Sequence, residues 1–115
     1  MRGNTKIILA LIIVIVGIVL LINYLKNNTA VDEQTAKCIA SKSQLYVKEG
    51  CHYCAQQEQI LGDYLSLFNI VECTKNLQEC ESVLGVSFSI PTWIINSKQY
   101  VGVRSLNELK RLTRC

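Results

Sequence analysis

The sequence predicts an α/β domain, a small mixed four-stranded sheet with helices on both faces, preceded by one transmembrane helix. Three observations predict it. An uncharged apolar run fills residues 7–25. Behind it, short β-branched and aromatic stretches alternate with stretches of helical periodicity. At the junction of the first such strand and helix stands "EGCHYCAQQ", residues 49–57, in which two cysteines flank a histidine and a tyrosine. That spacing suits half of a zinc site, a structural staple or a working redox pair, and the rest of the chain has to decide.

The run "IILALIIVIVGIVLLINYL" lies between Lys6 and Lys26. At a rise of about 1.5 Å per residue it spans roughly 28 Å, close to the hydrocarbon thickness of a bilayer. A helix in a soluble core keeps a polar face; this one is apolar all round. A cleaved signal peptide is the competing reading, with an apolar region of about 7–15 residues and a small-x-small site after it. Here the apolar part reaches Ile22, and "NNTA" is a poor site. An uncleaved signal-anchor fits better. Arg2, Lys6 and the α-amino group precede the span, while Lys26 is followed by Asp32 and Glu33. The positive-inside bias therefore predicts a single-pass cell-membrane protein with a cytosolic N-terminus and an extracytoplasmic domain.

The chain has 115 residues and six cysteines, all beyond the anchor. An even number at that density suits an oxidising compartment. The formal charge of +3 resides in Arg2, Lys6 and Lys26, since residues 31–115 carry nine basic and nine acidic side chains. A neutral domain has no nucleic-acid footprint. The expected organisation is a cytosolic end over residues 1–6, the anchor over 7–25, a tether over 26–35 and the domain over 36–115.

"QLYVK", residues 44–48, has the content of a short strand. Residues 54–68 read as one helix, with Ile60, Leu61, Tyr64, Leu65 and Phe68 at helical spacing. Gly62 is an imperfection in it, costing about 1 kcal/mol relative to Ala. "IVEC" is a second strand, and "NLQECESVLGV" a short helix closing at Gly85. "TWIINSKQYVGV" folds as two strands about a turn at Asn96, Ser97 and Lys98. In the last segment Ser105 stands three residues before Glu108, the pattern of a capping box. Lys110, Arg111 and Arg114 follow where a helix dipole favours cations. Strands one and two, joined by a helix, should run parallel, and the hairpin antiparallel.

Cys51 and Cys54 fall at the opening of the first domain helix. Amides and dipole there favour negative charge, and a protonated His52 adds to the effect. Cys51 is therefore the expected attacking sulfur, and Cys54, one turn on, the resolving one. A zinc site needs four ligands, and His52 is the only histidine, with no second C-x-x-C in the chain. A redox pair is favoured over an inert disulfide or a metal site, with no metal and no cofactor beyond the Cys51–Cys54 disulfide. "SIPTW", residues 89–93, holds the only proline, placed before a strand. Position alone predicts an ordinary trans bond. Trp93 and Tyr100 read as cross-strand residues of the hairpin, and Glu49 and Glu58 as solvated.

C-x-x-C after the first strand and I-P-T before the third resemble the thioredoxin superfamily. More narrowly, "QLYVKEGCHYCAQQEQILG", "IPTWIINSKQYVGVRSLNEL" and the terminal cysteine resemble the thioredoxin-like domain associated with vitamin K epoxide reductase homologues. The resemblance implies a thioredoxin-like fold with a cis proline at Pro91 beside the active cysteines. It further implies a substrate groove at Ile90, Pro91 and Thr92, with Ile90 offering backbone to an extended client. His52 and Tyr53 occupy the dipeptide that tunes the redox potential, in place of the usual Pro-His type. Gly50 replaces a common aromatic, and Ser97 a common turn glycine.

The four other cysteines allow three pairings. Cys73–Cys80, closing a short loop, with Cys38–Cys115, closing nearly the whole domain, is the favoured one; Cys38–Cys73 or free buried thiols are the alternatives. The resulting expectation is a membrane-anchored thiol–disulfide oxidoreductase. It would pass disulfides to client proteins with cysteines and be reoxidised by a separate membrane partner such as a vitamin K epoxide reductase homologue. A reductase working in the opposite direction and a disulfide-stapled binding module are the rival readings.

Overall fold

The computed structural model describes residues 2–29 and 31–115. They form two compact units, divided between residues 29 and 31. The first is a single helix, α1 (Arg2–Thr29). Its side chains from Ile7 to Leu25 are exposed on every side, as the absence of a polar face predicts. Over Arg2–Leu25 it is long and apolar enough to cross a membrane.

The second unit orders its elements as α2 (Glu33–Ser41), β1 (Ser43–Val47), α3 (His52–Leu61), β2 (Ile70–Glu72), α4 (Leu77–Leu84), β3 (Thr92–Ile95), β4 (Lys98–Val101) and α5 (Leu106–Thr113). The sheet runs β2-β1-β3-β4. β1 and β2 are parallel, with Leu45 opposite Ile70. β3 is antiparallel to β1, with Leu45 opposite Trp93, and β4 antiparallel to β3, with Trp93 opposite Tyr100. This is the thioredoxin-like arrangement, one parallel pair extended by an antiparallel hairpin.

The central strand is buried on both faces. Leu45 and Val47 point to one side, where Ile39 of α2, Leu61 of α3, Leu109 of α5, Trp93 and Ile95 complete the larger core. Phe68 meets Trp93 edge-on there, with ring centroids 5.7 Å apart. Tyr46 points to the other side and packs with Val71, Cys73, Cys80 and Leu84. Alternation along β1 thus assigns α2, α3 and α5 to one face and α4 to the other.

Four local readings are corrected. The tether does not extend to residue 35: Asp32 caps α2 by accepting the Thr35 amide at 2.7 Å, and Ala36 and Ile39 bury its inner side. At its other end, α1 continues through residue 29. The helix over 54–68 ends early, at Leu61. Gly62 takes φ +54 and a 3-10 segment, Gly62–Leu67, follows, so this glycine breaks the helix rather than weakening it. The hairpin turn is two residues, Asn96 and Ser97, both at positive φ, with Lys98 already in β4. Only half of the capping box forms. Ser105 Oγ accepts the Glu108 amide at 3.1 Å, but the Glu108 carboxylate turns to Arg104, 2.6 Å away.

Candidate active site

β1 ends at Val47, and the chain turns through Lys48, Glu49 and Gly50 into α3. Gly50 sits at φ +75, where a residue with Cβ is strained. The Cys51 amide closes the turn on the Lys48 carbonyl at 3.4 Å. Cys51 is the N-cap of α3, and its Sγ accepts the Cys54 amide at 3.1 Å. The two cysteines are joined as a disulfide with Cα atoms 5.2 Å apart. Their exposure differs: Cys54 is buried at 3% and Cys51 stands half-buried at the opening. On reduction, a thiolate at Cys51 keeps the Cys54 amide and the positive end of the helix beside it. Cys54, packed in the core, has no such opening to solvent.

The turn is held from the neighbouring strand. Glu72 ends β2, and its carboxylate accepts three amides: Glu49 at 2.9 Å, Thr74 at 3.2 Å and Lys75 at 3.0 Å. Desolvation pushes the Glu72 pKa up. The hydrogen bonds from Thr74, Glu49 and Lys75 outweigh it and hold the carboxyl below its usual value. A cleft of about 210 Å³ opens between Glu72, Glu58, Lys48, Glu49 and the two cysteines. Glu58 and Glu49 therefore border the cysteines as well as meeting solvent.

On the other side lies a groove of about 420 Å³, lined by Tyr53, Gln56, Ile90, Pro91, Gly102 and Val103. The Ile90–Pro91 bond is cis, where position in the sequence alone favours trans and the resemblance implies cis. Tyr53, between the two cysteines in sequence, is exposed and forms one wall; its ring meets that of His52 with centroids 5.6 Å apart. Ile90 and Pro91 line this groove, but Thr92 does not. Thr92 is buried at 1%, and its hydroxyl donates back to the Ser89 carbonyl. It is the first residue of β3, paired with Tyr46 and Val101, and ladder geometry fixes where its side chain points.

The remaining cysteines pair as Cys38–Cys115, with Cα atoms 6.0 Å apart, and Cys73–Cys80, 5.8 Å apart. Among the described residues no group of three or more His, Cys, Asp and Glu side chains is placed to hold a metal ion.

The sequence reading passed over Gln56, Gln57, Glu72, Gly102 and Val103. Gln57 is fully buried and hydrogen-bonded to Trp93 and Arg104. Its spacing from Cys54 on one helix face was the available signal. Apolar periodicity ignores a glutamine, and the partners of Glu72 are apparent only once β2 lies beside β1.

No family model matches the sequence. Among solved structures, one that is similar is the NTD_N/C domain of alkylhydroperoxide reductase AhpF from Enterococcus faecalis (V583). It is 16% identical, with a TM-score of 0.49, over 73% of this chain and 45% of that one. The match thus spans less than half of that neighbour.

Proposed function

We propose that the protein is a membrane-anchored thiol–disulfide oxidoreductase whose Cys51–Cys54 disulfide is passed to extracytoplasmic protein cysteines. The observation that carries the reading is the asymmetry of the pair: Cys51 stands at the helix opening with an amide on its sulfur, while Cys54 is buried behind it. A client thiolate attacks Cys51 Sγ, the Cys51–Cys54 bond breaks, and Cys54 leaves as the thiolate. A second client thiol, losing its proton, attacks the client sulfur of the mixed disulfide. Cys51 leaves as a thiolate, and the client holds a new disulfide. Two electrons and two protons pass to the protein, which becomes the dithiol. Ile90 and Pro91 border the groove in which extended client backbone would lie, and His52 and Tyr53 tune the stability of the Cys51 thiolate.

The apolar α1 supports anchoring, and six cysteines in three disulfides support an oxidising compartment outside the cytosol. Reoxidation falls to a separate membrane partner, for which the resemblance suggests a vitamin K epoxide reductase homologue. Direction is read from the potential: the oxidase reading expects a value nearer about −120 mV than about −270 mV. A value at the lower end would turn the assignment into a reductase of client disulfides.

The test is oxidative transfer to reduced, unfolded ribonuclease A. The oxidised protein should transfer one disulfide per molecule, and Cys51→Ser none. Unchanged transfer by Cys51→Ser would leave Cys51–Cys54 an inert staple and favour a binding module.

A further inference from the structure

We infer that Gln57 is a positioning residue that holds one wall of the client groove in register with the Cys51–Cys54 disulfide. The inference rests on the exchange reading above and goes beyond it. Gln57 is 0% exposed and lies three residues after Cys54, on the same buried side of α3. Its side-chain amide makes three hydrogen bonds to two other parts of the domain. Oε1 accepts the Trp93 indole N–H at 3.0 Å and the Arg104 backbone N–H at 2.7 Å. Nε2 donates to the Arg104 carbonyl at 2.9 Å. The amide therefore pairs with the Arg104 main chain at both its donor and its acceptor, as a neighbouring strand would.

These partners are not arbitrary points of the core. Trp93 follows Pro91 by two residues in β3. Arg104 follows Gly102 by two, and the Gly102 amide donates to the Pro91 carbonyl at 2.8 Å. The segment from Gly102 to Arg104 is thus held at one end by Pro91 and at the other by Gln57. Gly102 and Val103 form one side of the groove, while Tyr53 and Gln56 of α3 and Ile90–Pro91 form the rest. Gln57 is the side chain that ties the helix carrying the cysteines to this segment. A neutral amide suits the place: its oxygen accepts both donors and its nitrogen donates to the Arg104 carbonyl without bringing a charge into the core. An apolar replacement leaves the Trp93 indole and both Arg104 main-chain groups unpaired.

The experiment compares Gln57→Met with the full-length wild type in single-turnover oxidation of two thiol probes. One is a flexible peptide with two cysteines; the other is dithiothreitol, too small to use the groove. The half-saturating peptide concentration should rise by about tenfold, because a displaced wall weakens client binding, while the limiting rate falls far less. Oxidation of dithiothreitol should stay within about twofold of wild type, since Cys51 and its amide are untouched. Trp93 is the only tryptophan, so its indole N–H resonance reports directly whether the Oε1 bond is lost. Trp93→Phe removes that one bond from the opposite end and should give a smaller rise in the same parameter. It carries the test alone should Gln57→Met not fold. Equal losses with peptide and dithiothreitol would overturn the inference in favour of a general structural role, as would no loss with either. A wild type that oxidises neither probe would instead overturn the exchange reading, and the inference with it.

Discussion

The Glu72 carboxylate at the end of β2 accepts the Glu49 amide at 2.9 Å, so the turn that delivers Cys51 is fastened to the neighbouring strand by one side chain. The same carboxylate takes the Thr74 and Lys75 amides, closing the turn after β2. Glu72 therefore orders two turns on one edge of the cysteine cleft, and its charge is what makes those bonds strong.

This arrangement predicts an acid-sensitive turn. The folded pKa of Glu72 lies below its unfolded value of 4.5. The unfolded chain then binds the proton more readily, so the stabilisation is fully present above that value and is lost as the pH falls through the folded pKa. Thermal melts of wild type and Glu72→Gln between neutral pH and pH 3 should show the variant less stable at neutral pH, with the difference shrinking as acid is added. A constant difference across the range would show that the charge is not what holds the turn.

The Cys38–Cys115 disulfide closes a loop with a sequence separation of 77 residues, joining α2 to the second residue beyond α5. Restricting the unfolded chain over that length contributes about 4.5 kcal/mol in the chain-entropy treatment, against about 2.5 kcal/mol for the short Cys73–Cys80 loop. Denaturant unfolding of the double variant Cys38→Ser/Cys115→Ser should show a loss of about that larger size. Disulfide transfer by the folded protein should persist, because neither residue lines the cleft or the groove.

The β3–β4 turn holds Asn96 at φ 52 and Ser97 at φ 63. Two left-handed residues in succession are what a two-residue hairpin of this twist requires, and Asn-Gly meets the requirement best. Serine carries a Cβ penalty there. Ser97→Gly should raise stability by up to about 1 kcal/mol without altering exchange. A decrease on substitution would mean that the serine hydroxyl matters more than its backbone strain.

Much of the fold is legible in the sequence because apolar periodicity and turn residues are local. Leu61 and Phe68 mark the buried side behind α3, Gly85 ends α4, and Ser105 starts α5. The helix Glu33–Ser41 is the element that escapes. It buries only Ala36 and Ile39, and its polar first turn continues the polar composition of the residues before it. The break at Gly62 escapes for a different reason. Its helix cost is small in isolation, and only the packing of Leu61 and Phe68 shows where the chain must leave the helix. Of the site, Cys51, Cys54 and Pro91 are visible because their residue types announce chemistry. Gln57 and Glu72 are not, because their meaning comes from partners distant in sequence. Gln57 meets Trp93 at a separation of 36 residues and Arg104 at 47, and Glu72 meets Glu49 at 23.

The central claim, that Cys51 is the sulfur that shares a mixed disulfide with the client while Cys54 is its internal partner, is tested most directly by trapping. In Cys54→Ser the exchange is entered from its product side: the Cys51 thiolate attacks a client disulfide, one client sulfur leaves as a thiolate, and with no Cys54 thiol to re-form the Cys51–Cys54 bond the mixed disulfide accumulates. Cys54→Ser expressed in cells with α1 intact should accumulate covalent adducts with other proteins, released by dithiothreitol and absent when Cys51→Ser is added. Adducts that persist without Cys51, or none in the presence of disulfide-bearing clients, would contradict the account.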